Sequence, residues 1–236
     1  VVALEAVDGD VVFDIEITAN RADCLSVLGI AQEAAAVLGT RLKRKQQKHA
    51  VKIKRNKAMR LAPRFLSIQD KKGCLFYRGC LLTNVAVGAS PAWLKKRIEA
   101  AGARSINNIV DITNYCLLEF GQPLHAFDYD KLVGGIVVRR AKPKEKILTI
   151  DGVERELSKD ILLIADKNKA VAIAGVMGDK LSEVGVATKN IFLESAYFDP
   201  VLIRRASRAV GISTESSCRF ERGVDFDRVI EAQDRA

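Results

Sequence analysis

No apolar run among the 236 residues approaches the roughly 18 needed to cross a bilayer, which argues against a membrane span. No secretory leader opens the chain. No C-x-x-C pair occurs among Cys24, Cys74, Cys80, Cys116 and Cys218, and histidine is confined to His49 and His125. An odd thiol count with two imidazoles argues against a metal centre and for reduced thiols in a cytosolic protein. Phosphate loops are missing as well. Gly175-x-x-Gly178-Asp179-Lys180 has the wrong spacing and lacks the following Ser or Thr, and no dinucleotide fingerprint occurs. Nucleotide-driven chemistry within this stretch is thereby disfavoured. There is no internal repeat. The first residue is Val1, not Met, which points to a piece of a longer chain.

What is present is a folding composition, 48% hydrophobic and 28% charged, enough for one or two domains. The net charge of +9 is localised. Residues 41–72 hold 13 Lys or Arg against one acid, Asp70, a net +12, so the remainder carries −3. Such a stripe can follow a phosphate backbone or serve as a solvated linker. With only Phe65, Phe76 and Tyr77 nearby, no base-stacking platform is visible.

Periodicity sketches the elements. Val12 to Thr18 alternates, with Phe13, Ile15 and Ile17 on one face, as in a half-buried strand. A helix is expected over Asp23 to Leu38, stopped by Gly39. These first 40 residues form part of a small α+β domain, too little to fold well alone. After the basic segment, a larger domain over 73–236 opens with a strand from Phe76 to Val85. A helix follows with Ser90 as N-cap and Pro91 at its first position, then a second helix over Asn107 to Glu119. Short Val- and Ile-rich strands come next: Gly135 to Ala141, Lys146 to Ile150, Val153 to Leu157, Ile161 to Ala165 and Val171 to Gly175. Asp151-Gly152 suits a tight turn. Ile191 to Ser195 reads as a buried strand, Asp199-Pro200 opens a helix closed by Gly211, and another helix starts near Asp227. The class is α+β: β-sandwich-like sheets flanked by helices.

Polar residues interrupt this apolar pattern in four places. His125 follows Pro123 in what reads as a rigid loop, able to hold a backbone carbonyl or to face a ligand. Glu194 closes Ile191-Phe192-Leu193, so it is buried and needs a partner. That partner is an arginine such as Arg104, Arg139 or Arg219, or a donor on a ligand. Ala174, Gly175 and Gly178 suit either a positive-φ turn or backbone N–H donors approached closely by a ligand. Thr214 and Ser216 have helix-cap character and could equally line the same pocket. Cys218 is either a nucleophile working with His125 or a packed, inert thiol.

Four segments together resemble the beta subunit of bacterial phenylalanyl-tRNA synthetases. They are Asp14 to Ser26, Ile106 to Tyr115, Gln122 to Asp128, and Arg219-Phe220-Glu221-Arg222-Gly223-Val224-Asp225. The resemblance covers nearly the whole chain apart from the basic stripe. It implies that residues from about 74 onward form an editing domain, which hydrolyses tyrosine wrongly attached to the phenylalanine tRNA. The family's separate tRNA-binding domain and its ATP-dependent alpha subunit would lie elsewhere. The whole enzyme would be a cytoplasmic heterotetramer of two alpha and two beta subunits. It would use ATP and magnesium, with no cofactor or metal in this stretch. By the resemblance, Glu194 accepts the tyrosine phenol; His125, Arg104 and Thr214 lie near the terminal adenosine and the ester; and Ala174, Gly175 and Gly178 supply wall and backbone donors. His125 and Thr214 would order the attacking water, with Gly178 beside it. Ser216 stands where the family commonly has alanine and Asp179 where it commonly has glycine. The competing function is a structural, RNA-contacting scaffold that does not edit.

Overall fold

A computed structural model describes residues 1–7, 9–42 and 65–236. The reading of 41–72 as a basic linker or RNA contact falls mostly on residues 43–64, outside the described residues.

The first 42 residues carry a two-stranded antiparallel hairpin, β1 (Ala3–Val7) and β2 (Asp10–Asp14), and then helix α1 (Val27–Val37). The strand expected to reach Thr18 stops at Asp14, and Phe13 is 58% exposed instead of covered. The helix expected from Asp23 begins later. Ala22–Cys24 makes a 3-10 turn, and the Ser26 side chain accepts the Gly29 N–H at 3.0 Å as the true N-cap.

The body is built on two sheets. The larger contains β3 (Leu66–Ile68), β6 (Ile136–Arg140), β9 (Leu162–Ala165), β10 (Ala170–Ile173) and β11 (Met177–Gly178), in the order β11-β10-β9-β6-β3. Only β3 with β6 is parallel; the other pairs in this sheet are antiparallel. Residues 65–68, read from the sequence as the tail of the linker, therefore belong to the body. The second sheet is antiparallel: β4 (Cys74–Thr83), β12 (Asn190–Phe198) and β5 (Leu124–Asp128), with β12 in the centre. A hairpin of β7 (Lys146–Leu148) and β8 (Glu154–Glu156) turns at Asp151-Gly152, where Gly152 has φ +81°.

One core takes side chains from both sheets. Phe127, Phe192 and Phe198 meet Ile136, Val138, Leu163, Ile164 and Ile173, all at most 1% exposed. Burying an aliphatic or aromatic side chain of this size stabilises by about 1.5–3 kcal/mol, so this cluster is the main source of stability. Helices cover the sheets. Helix α3 (Asn108–Phe120) is capped by Asn107, which accepts the Val110 N–H at 3.0 Å, and closed by Gly121 at φ +75°. It packs on β5 and on α2 (Ala92–Ala100). Ser90 does not cap α2 as expected. Pro91 takes the N-cap position, and the Ser90 hydroxyl donates to the buried Asp111 at 2.5 Å. Helix α4 (Pro200–Val210) starts on Asp199, which accepts the Leu202 N–H, and ends at Gly211. Helix α5 (Glu215–Phe220) follows, and α6 (Arg228–Arg235) packs on β12. Among the described residues, no helix is long and apolar enough to cross a membrane.

Candidate functional site

The site grows out of the three-stranded sheet. Glu194 lies in the middle of β12, not at a strand end, and pairs across to Gly79 on β4 and His125 on β5. Successive strand residues face opposite ways. On one face Phe192 and Ala196 enter the core and take Glu194 with them. On the other, the Ser195 hydroxyl donates to the Val229 carbonyl, and the backbone of Leu193 accepts from Gln233 on α6. Glu194 is 7% exposed.

Its partner is not an arginine. Tyr77, diagonally adjacent on β4, donates its phenol to Glu194 Oε2 at 2.5 Å. Arg139 pairs with Glu145, Arg219 with Glu215, and Arg104 is exposed. Burial pushes the Glu194 carboxyl up to about 7, and the Tyr77 hydrogen bond works against that rise. The Tyr77 phenol is itself raised well above its ordinary value, by burial first and then by the neighbouring acid.

His125 sits on strand β5, where the sequence suggested a loop. The proline obscured the alternation of Leu124-His125-Ala126-Phe127-Asp128. Its ring makes an edge contact with Phe127 at 4.4 Å between centroids. Among the described residues no group hydrogen-bonds its nitrogens, so it does not hold a backbone carbonyl. Burial lowers its pKa to about 4, which leaves a neutral imidazole at physiological pH.

Two adjoining hollows share the walls Pro123, Leu124, His125, Val176, Met177, Gly178 and Ser216. The inner one, about 90 Å³, runs between Ile173, Gly175 and Phe220 to Glu194. The outer one, about 260 Å³, opens past Thr113, Asn114, Thr214 and Glu215. A small hollow lined mainly by apolar side chains, with one carboxylate in its wall, offers a single charged acceptor to a hydroxyl donor.

The expected residues divide accordingly. Glu194, His125, Gly175, Gly178, Ser216 and Thr214 border one or both hollows. Gly175 is a turn residue at φ +67°, where a Cβ would meet Phe220 at 2.9 Å. Gly178 has an ordinary backbone but lies against the imidazole: a Cβ there would come within 2.6 Å of His125 Cε1. Of the turn's amides, Val176 N–H already donates to the Ile173 carbonyl. Thr214 is the N-cap of α5; its hydroxyl accepts the Ser217 N–H and donates to the Val176 carbonyl at 3.1 Å. Ser216 donates to the Gly175 carbonyl at 3.2 Å. Thr214 is therefore cap and wall at once, while Ser216 is wall alone because Ser217 completes the capping box, and α5 is tied to the glycine turn from both wall positions.

Other residues are not brought in. Ala174 is fully buried in the core and borders neither hollow. Arg104 is exposed and outside both linings; the half-buried Cys218 also lies outside both, and no hydrogen bond joins it to His125, so no cysteine–histidine pair forms. Asp179 adds no charge to the hollow, because Lys169 pairs with it at 2.7 Å. The residue that sequence reasoning missed is Tyr77, 117 positions from its acid. Among the described residues, Asp23, Cys24 and Glu33 bring ligand atoms within 4.8 Å of one another, but Arg21 fills that cluster with ion pairs to Asp23 and Glu33 at 2.7 and 2.6 Å.

The α+β body thus carries two adjoining hollows, the smaller lined by a desolvated carboxylate that has a single side-chain hydrogen bond. The chain belongs to the B3/4 domain family, whose model matches residues 73–236. It is 51% identical over 230 residues to the phenylalanine–tRNA ligase beta subunit of Geobacter metallireducens, a match covering 96% of this chain and 28% of that protein. The beta subunit of Aquifex aeolicus is 49% identical over 228 residues, covering 97% and 28%. An N-terminal fragment of the phenylalanyl-tRNA synthetase beta subunit from Pyrococcus horikoshii aligns with a TM-score of 0.44 at 14% identity, over 89% of this chain and 64% of that one. The chain thus spans little more than a quarter of the length of the curated relatives it matches.

Proposed function

We propose that this chain is the editing segment of a phenylalanine–tRNA ligase beta subunit and hydrolyses tyrosine from mischarged phenylalanine tRNA. The observation that carries the reading is Glu194: a desolvated acid at the end of an apolar slot, free of any arginine. Phenylalanine and tyrosine differ by one hydroxyl, and an apolar synthetic site cannot strongly reject an added hydroxyl, so a second sieve is needed. Tyrosine would pair with Glu194, whereas phenylalanine would leave the acid's second oxygen without a donor. A hydrogen bond to a charged acceptor is worth about 1.5–3 kcal/mol, which favours the wrong product as substrate and spares the correct one.

The scissile bond is an aminoacyl ester, already activated. Water held near it suffices without a covalent nucleophile. The unpaired, neutral ring of His125 faces the shared part of the two hollows and orients that water. Thr214, with one lone pair still available, and Gly178 shape the wall beside it. The outer hollow would take the terminal ribose and base of the acceptor end. The alpha subunit, ATP with magnesium, and a cytoplasmic setting belong to the same proposal for the whole enzyme.

The test is deacylation of tyrosyl- and phenylalanyl-tRNA(Phe) by the full synthetase carrying Glu194→Ala. We expect tyrosine release to fall by roughly tenfold or more, the size of one charged hydrogen bond, with phenylalanine charging intact. Tyrosine release that survives Glu194→Ala unchanged would contradict the discriminating role of Glu194, whereas no tyrosine release by the unaltered synthetase would favour the scaffold reading.

A further inference from the structure

Tyr77 is buried, lies outside the linings of both hollows, and spends its only hydroxyl proton on Glu194 Oε2. A carboxylate offers about four lone-pair sites on two oxygens. In this one, a single site is taken by the protein, and Oε1 has no partner among the described residues.

We propose that Tyr77 is a positioning residue of the editing site: its phenol clamps Oε2 so that Glu194 stays an acceptor and turns Oε1 alone to the substrate hydroxyl. The proposal rests on the editing reading and names the group that makes its acid selective. A buried carboxyl without a donor takes up a proton. Once protonated it can donate as well as accept, and its preference for a phenol donor over bare apolar surface weakens. Tyr77 opposes this while the slot is empty or holds phenylalanine. The sheet fixes the geometry. Tyr77 faces Ala196 in the register and is therefore one diagonal step from Glu194. Gly79 stands directly opposite the acid, and its missing side chain is replaced by the Phe192 ring, which a Cβ would meet at 2.0 Å.

The groups that face the acid are few. From β4 come Tyr77 and the Cys74 thiol, which is itself pushed up to about 12 by burial and by Glu194. From β5 comes His125, neutral above about pH 4. Arg78, next to Tyr77 in sequence, points away to Asp234 at 2.7 Å. With no cation facing Glu194, Tyr77 is the one group that favours its ionised form.

The experiment uses the complete synthetase with Tyr77→Phe, and separately with 3-fluorotyrosine placed at position 77. The fluorinated phenol is a stronger donor and keeps the packing. The readout is the ratio of kcat/KM for tyrosyl- over phenylalanyl-tRNA(Phe) hydrolysis as a function of pH. In the unaltered enzyme the ratio should rise through about pH 7. Tyr77→Phe should lower it roughly tenfold at neutral pH and move its midpoint upward; 3-fluorotyrosine should move the midpoint downward. Unchanged ratio and midpoint in both, with Glu194→Ala still impairing tyrosine release, would overturn the role of Tyr77 and leave the editing reading standing. Loss of Glu194 dependence itself would overturn both. If Tyr77→Phe fails to assemble, the fluorinated enzyme alone decides by the direction of its midpoint.

Discussion

Two carboxylates are buried in this molecule in opposite ways. Asp111, in the first turn of α3, is fully buried and receives three donors: the Ser90 and Ser105 hydroxyls, each at 2.5 Å, and the Ile106 N–H at 2.9 Å. Glu194 is almost as deep and receives one. The first acid is satisfied by its own chain and pins the segment between α2 and α3. The second is left with unused capacity beside an open slot. Burial alone does not separate a structural acid from a binding one; the count of protein donors does.

Removing the two acids should therefore have different consequences. Asp111→Ala strands two hydroxyls and an amide and empties a packed site. We expect a loss of about 3–4 kcal/mol in chemical denaturation, with no change in the tyrosine-to-phenylalanine selectivity of whatever enzyme remains folded. Glu194→Gln should behave otherwise, because glutamine still accepts from Tyr77. The folded-state pKa of Glu194, about 7, lies above its ordinary 4.5. Its contribution is thus fully present below pH 4.5 and is lost as pH rises through 7, a penalty of up to about 3 kcal/mol at 1.4 kcal/mol per unit. The variant should be equal to the parent at low pH and more stable by about 1–3 kcal/mol above pH 7. It also removes the opposing slope that masks His125. With a folded pKa of about 4 against an ordinary 6.5, His125 favours the folded state above 6.5 and loses that contribution as pH falls through 4. Urea titrations of the variant should show stability falling on acidification across that window; a flat profile would contradict a neutral, desolvated imidazole.

How far this was legible in the sequence follows from the range of each interaction. Glu194 betrayed itself locally, because Ile191-Phe192-Leu193 announces a dry strand around a charge. Its partner did not. Tyr77 lies on another strand, and nothing in Phe76-Tyr77-Arg78 says which acid the phenol will meet. Caps that act over three residues, such as Asp199 and Thr214, were readable, and so was the stop at Gly211. Ser90 misled because its hydroxyl is drawn 21 residues away to Asp111, a stronger acceptor than the helix end could offer. Phe13 misled in the other direction: alternation shows which residues could share a face, not that something covers it. Arg104 was placed near the ester by resemblance and Ala174 beside its glycines by local pattern as well, and the packing puts one on the surface and the other in the core.

A third acid tests the comparison at its weak end. Asp179 is 2% exposed, and its side chain takes its charge partner from Lys169, whose own side chain is 38% exposed. Water near the ammonium should share the work of solvating the pair, which puts it between the satisfied Asp111 and the open Glu194. Lys169→Met keeps the aliphatic stem and removes the charge; we expect a cost of about 1 kcal/mol. The double variant with Asp179→Asn should recover most of it, because the uncompensated charge is then gone as well. A double-mutant cycle in urea measures this directly. A loss as large as that of Asp111→Ala would mean that the Asp179 site is dry. In that case donor number would not by itself rank the three acids, because Asp179, like Glu194, receives a single side-chain donor.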